Sequence, residues 1–204
     1  MSSKSIFSFS GGIASIISGL FLASAHLINF IVGTEGSTVI GNSLVLFAHL
    51  GLIFAFVGIY EAQCKSNKSR VASNLGMILG VVGTTFVTVI VYFENAFASL
   101  LEENHAFDNT VWEMIFSVGP LFFVIGMIIV GISIVVGSVI PKIAGMGLVI
   151  GTIVFAMGTV IPSAEGILTV IGGGITGLSF MFVGLVLVSK GNRNSSSLHN
   201  RKVI

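Results

Sequence analysis

The sequence predicts an all-α membrane protein, a bundle of six transmembrane helices with both termini in the cytoplasm. Three observations predict it. Of 204 residues, 54% are hydrophobic and only 8% charged, and mean hydropathy is +1.06. A soluble domain carries ~25% charged residues and could not withdraw so much apolar surface from water. The apolar residues also gather into six runs, each near the ~20 residues that a self-bonded helix needs to cross hydrocarbon. Finally, threading the chain through six spans separates its basic from its acidic residues.

The spans, in order, are Phe9–Val32, Ser43–Ala62, Val71–Phe93, Phe116–Gly137, Ile143–Ile161 and Gly166–Val188. Polar or helix-breaking stretches divide them: Gly33–Asn42, Gln63–Arg70, Glu94–Ile115, Ser138–Lys142 with Pro141, and Pro162–Glu165. Residues 1–189 thus form one transmembrane domain, and residues 190–204 a basic cytoplasmic tail that reads as solvated and disordered. In the first span, Ala23-Ser24-Ala25 resembles a signal-peptide cleavage site. The apolar run continues past it to Val32, so a retained helix is expected.

All nine basic residues (Lys4, Lys65, Lys68, Arg70, Lys142, Lys190, Arg193, Arg201 and Lys202) fall on one side. Seven of the eight acids (Glu35, Glu94, Glu102, Glu103, Asp108, Glu113 and Glu165) fall on the other, with Glu61 the exception. The positive-inside rule makes the basic side cytoplasmic. A net charge of +1 offers no face for nucleic acid, so the expected partner is the lipid bilayer. Cys64 is the single cysteine and excludes an internal disulfide.

Glycine recurs at matched spacing in the even helices: Gly51-x6-Gly58, Gly119-x6-Gly126 and Gly177-x6-Gly184. The third and fifth share Gly76-x3-Gly80 and Gly147-x3-Gly151, each followed by Glu94 or Glu165 at the outer end. Three related hairpins would give this pattern, and so would close helix packing through small residues. Pro120 is expected near the start of the fourth helix, where proline is tolerated. The run Gly172-Gly173-Gly174 is expected to thin the sixth helix or to serve its packing. In the longest connection, Phe97, Ala98, Leu100 and Leu101 with Trp112 suggest an interfacial helix covering what lies beneath.

The candidate site follows from depth. His26 precedes the end of the first span by about seven residues and His49 follows the start of the second by as many, so both rings lie ~10 Å below one boundary. Asn29 shares nearly the face of His26. Glu94 and Glu165 close the third and fifth helices on that side, and His105 lies in the loop above. Ionisable groups within a membrane usually face the bundle interior. Two histidines with Glu94 can ligate Zn²⁺ or Fe²⁺, and His26 and His49 alone can be axial ligands of haem b. The same groups can relay protons or bind a transported cation. Each histidine can instead make one interhelical hydrogen bond in a protein that only interacts with others. No Walker loop, dinucleotide fingerprint, HExxH or Gly-x-Ser-x-Gly occurs, and no catalytic residue is singled out.

The segments Ala25-His26-Leu27, Ala48-His49-Leu50-Gly51, Gly58-Ile59-Tyr60-Glu61 and Tyr92-Phe93-Glu94-Asn95 carry a resemblance over the first three helices. The chain resembles a loose group of uncharacterised prokaryotic six-helix integral membrane proteins. These pair a histidine in helix 1 with one in helix 2 and end helix 3 in an acid. The resemblance implies a prokaryotic plasma membrane and supports His26, His49 and Glu94 as the site. It supplies no reaction. A proline expected after the third helix is replaced here by Ser99-Leu100.

Overall fold

The computed structural model describes residues 3–32, 38–64, 66–103 and 110–200. Six helices hold most of them: α1 (Ser3–Val32), α2 (Val39–Gln63), α3 (Arg70–Glu103), α4 (Thr110–Gly137), α5 (Lys142–Val160) and α6 (Glu165–Asn200). No strand occurs among the described residues. Each helix is long and apolar enough to span a bilayer. Phe7, Phe54, Val71, Ile143, Val160 and Leu178 are among many large apolar side chains left exposed, as a protein solvated by lipid requires. The protein is therefore an all-α, multi-pass membrane protein.

Each expected span coincides with one helix, but several helices run on. α4 begins at Thr110 rather than Phe116, which moves Pro120 from the expected first turns to well inside the helix. There it removes the N–H that would bond the Phe116 carbonyl. α3 continues through Glu94 to Glu103, interrupted by non-helical backbone at Phe97 (φ −130°, ψ 22°). Residues 104–109, including His105, lie outside the described residues; of the expected covering segment, Phe97, Ala98, Leu100 and Leu101 belong to the end of α3 and Trp112 to the start of α4. α6 extends to Asn200, so the stretch expected to be a disordered tail is helical as far as it is described. Its first turn beyond the span is held by Lys190, which donates to the Val139 carbonyl in the α4–α5 connection.

The helices form a closed ring. Each packs against its chain neighbours, and α1 packs against α6. Backbone approaches make the seams. A Cβ at Gly58 would lie 2.7 Å from Gly11 Cα, and one at Gly126 would lie 2.4 Å from Gly80 N. In those two hairpins the repeated glycines face the preceding helix, as triplication implies. In the third they do not: Gly177 and Gly184 face Gly19 and Gly12 of α1, where a Cβ on either would meet a carbonyl at 2.4 Å. The α6 glycines therefore close the ring rather than the hairpin.

Alternating helix directions give the ring two ends. Gln63, Arg70, Gly137, Lys142 and Lys190 mark a basic end; Thr38, Glu113, Val160 and Glu165 mark an acidic end. Toward the basic end the ring is filled. Leu52, Phe56, Met127, Leu148, Phe180 and Val183 are completely or almost completely buried in one cluster. The Phe56 and Phe180 rings meet edge to face across the ring, with centroids 6.1 Å apart. Fully buried Gln63 accepts through Oε1 from Ser133 Oγ (3.0 Å) and Ile134 N (3.2 Å) and donates from Nε2 to the Ser133 carbonyl (3.2 Å).

Candidate functional site

On α2 and α6 the inward-facing stripe changes character along its length. On α2 it runs from Asn42 and His49 to Leu52, Phe56 and Ile59; on α6, from Gly173 and Thr176 to Phe180 and Val183. Steps of three or four residues keep each series on one face. On these two helices small and polar residues therefore face the acidic half of the ring and large apolar ones the basic half. The ring cannot collapse on the small residues alone, and a cavity of about 550 Å³ remains, lined by all six helices.

Both imidazoles line this cavity. His49 is buried, with Nδ1 2.7 Å from Thr84 Oγ1 on α3. The Thr84 hydroxyl also donates to the His49 backbone carbonyl at 3.2 Å. When Thr84 gives its one proton to that carbonyl it accepts from Nδ1–H, the tautomer that leaves a lone pair on Nε2. Phe123 flanks the ring at 4.7 Å. His26 packs edge-on against Phe155 at 4.9 Å, and its Nε2 is buried without a partner. The absence of a side chain at Gly173 makes this position possible, because a Cβ there would fall 2.4 Å from His26 Cδ2.

Two threonines complete the polar set. Thr159, which also lines the cavity, and Ser43, Thr85, Thr88, Thr169 and Ser179 elsewhere return their hydroxyls to the carbonyl one turn earlier, as helical Ser and Thr commonly do. Like Ser15, Ser18 and Ser69 outside the lining, Thr152 on α5 and Thr176 on α6 do not. Both line the cavity, and both Oγ1 atoms are buried without a partner. Asn29 forms the rim. Its Oδ1 accepts from Thr38 N and Oγ1 (2.8 Å each) and its Nδ2 donates to Asn42 Oδ1 (3.2 Å), tying α1 to the capped start of α2.

Glu94, the expected third ligand, stands outside this group. It is exposed and does not line the cavity. Thr84 marks the level of His49 on α3, and Glu94 lies ten residues on, ~15 Å further toward the acidic end. The sequence places Glu94 on the right side but not at the right depth. Glu165, the exposed first residue of α6, is likewise not in the lining. Among the described residues, no three of His, Cys, Asp and Glu come together in a group that could hold a metal ion. Nothing in the sequence singles out Thr152 or Gly173 as lining residues or Thr84 as the partner of His49. Thr176 could have been found from its step of seven back to Thr169 and four on to Phe180 along one α6 face.

No protein-family model, characterised protein or solved structure matches the chain. Its chemistry must be read from the cavity itself.

Proposed function

We propose that this multi-pass membrane protein binds one small, uncharged molecule in the cavity of its ring, through His26, His49, Thr152 and Thr176. The observation that carries the proposal is that His26, Thr152 and Thr176, all lining one cavity, each hold a buried polar atom without a partner (Nε2, Oγ1 and Oγ1). Each unmet buried group costs ~1–3 kcal/mol, which a ligand with matching atoms would recover. The remaining walls are mostly Val, Leu, Phe, Pro and Ala, which suits an occupant with hydrocarbon as well as polar atoms better than a water cluster. Among the described residues no Asp, Glu, Lys or Arg lines the cavity, so a charged ligand would lack a counter-ion there. By the positive-inside rule the basic end faces the cytoplasm and the cavity the exterior of a prokaryotic plasma membrane.

A second reading makes the imidazoles metal ligands. The two histidines of one cavity, with the lone pair on His49 Nε2, suit the axial positions of haem b. Against it, among the described residues haem propionates would find no Arg or Lys in the lining, and Zn²⁺ or Fe²⁺ no carboxylate. The filled basic half counts against an open transport path.

Protein released from its membrane in mild detergent should carry a neutral organic molecule at one copy per chain in native mass spectra. Thr152→Val with Thr176→Val should reduce that occupancy at least about tenfold, as expected when two buried partners are lost. A Soret band or stoichiometric zinc or iron would favour the second reading. An empty cavity in every preparation would leave the histidines a structural role. Gly173→Ala is a sharper probe: its methyl group must displace the His26 ring. Occupancy should fall several-fold while the melting temperature changes little, because the ring can rotate into the cavity.

A further inference from the structure

We infer that the ligand enters the cavity sideways from the bilayer, between α4 and α5, and is therefore a lipid-soluble molecule. This rests on the cavity being a ligand site. The exposure of its lining locates the mouth. Four lining residues are exposed: Pro120 and Leu121 on α4, and Thr159 and Val160 on α5. Every lining residue from α1, α2, α3 and α6 is buried or half-buried. Leu121 is 54% and Val160 78% exposed although both also bound the cavity.

The four residues lie at one level. Counted from the short α4–α5 connection, Leu121 is about 16 residues up α4 and Val160 about 18 up α5, roughly 25 Å from the turn in each case. Near that turn the two helices are in contact, since a Cβ at Gly145 would lie 2.5 Å from the Gly131 carbonyl. At the level of Leu121 and Val160 both line the cavity instead. α5 ends there, while α4 continues to Thr110. Pro120 stands at the same level and leaves the Phe116 carbonyl without its helical donor.

The rim is hydrocarbon. Leu121, Ile125, Met157 and Val160 are all exposed around the mouth, and none carries a charge. A water-borne ligand would meet mainly apolar surface there, since the one hydroxyl at the mouth, Thr159, is spent on the Ala156 carbonyl. A lipid in the leaflet at the acidic end could place an uncharged carbonyl or hydroxyl head among Thr152, Thr176 and the imidazoles. Its chain would trail out between α4 and α5.

The test is photolabelling of the liposome-reconstituted protein with a neutral, membrane-partitioning aryl diazirine, with adducts mapped by mass spectrometry. Buried Phe123, Thr152 and Thr176 should be labelled. Leu121→Trp and Val160→Trp, which fill the mouth from lipid-facing positions, should each lower those adducts at least fivefold. Leu178→Trp, exposed on α6 away from the mouth, should not. A quaternary-ammonium analogue should leave the cavity residues unlabelled. Cavity adducts insensitive to both mouth variants would overturn the lateral route, as would labelling of Leu178 and Phe54 without any in the cavity. Equal cavity labelling by the charged analogue would overturn the uncharged class. If mouth-dependent labelling appears while no molecule copurifies, the resident-ligand proposal fails and the route stands. If a molecule copurifies but labelling ignores the mouth variants, the ligand site stands and the route fails.

Discussion

Gly177→Ala is expected to lower stability by about 2–3 kcal/mol, although alanine is the better helix former by up to ~1 kcal/mol. The reason is the α1–α6 seam. The added Cβ would sit 2.4 Å from the Gly19 carbonyl oxygen and 2.9 Å from Ala23 Cβ. Backbone cannot rotate away as a side chain can, so α6 must move off α1 and open the ring where it closes. In lipid, helices associate mainly through such close packing, because the solvent is as apolar as the side chains. Gly174→Ala is the matched control. It lies three residues away on the same helix with nothing within 4 Å of its would-be Cβ, and should be neutral or slightly stabilising. Thermal unfolding of both variants in one detergent checks the pair. A fall of similar size in each would place the cost in the helix rather than the seam.

His49→Leu is expected to separate binding from folding. Leucine fills much of the imidazole's volume beside Phe123, and the Thr84 hydroxyl keeps its bond to the backbone carbonyl of residue 49. One hydrogen bond is lost, worth about 1 kcal/mol. The ligand loses the partner at Nε2, and a buried polar atom left unpaired costs ~1–3 kcal/mol, equivalent to about tenfold or more in affinity. Occupancy should therefore collapse in a protein that still melts cooperatively near the parent temperature. Equal losses of occupancy and stability would show His49 acting mainly as a bundle contact.

The six helices are legible in the sequence because the bilayer imposes a simple requirement, long apolar runs with punctuation, and Phe9–Val32 or Phe116–Gly137 meets it without tertiary information. The equal depth of His26 and His49 is legible too, since depth is residue count times rise. Rotation about each helix axis is not. Glu94 and the histidines share a side of the membrane, yet only Thr84 of α3 meets His49. Thr152 and Thr176 look like ordinary small residues until their unpartnered hydroxyls are seen at one cavity. Gln63, placed by its polarity in a connection, is fully buried against Ser133, because a buried amide is stable wherever a neighbouring helix offers a partner. The glycine repeats are visible as spacing, but which neighbour each faces depends on closure of the ring by α1 and α6.

The acidic half of the ring should enclose a ligand while the basic half is solid, and a density map of the native-membrane protein in lipid nanodiscs tests this most directly. Non-protein density within hydrogen-bonding distance of His26 Nε2 and Thr176 Oγ1, above a closed Phe56–Phe180 contact, is the expected result. A collapsed ring in which those two atoms bond to one another or to neighbouring helices, with no space between, would contradict it.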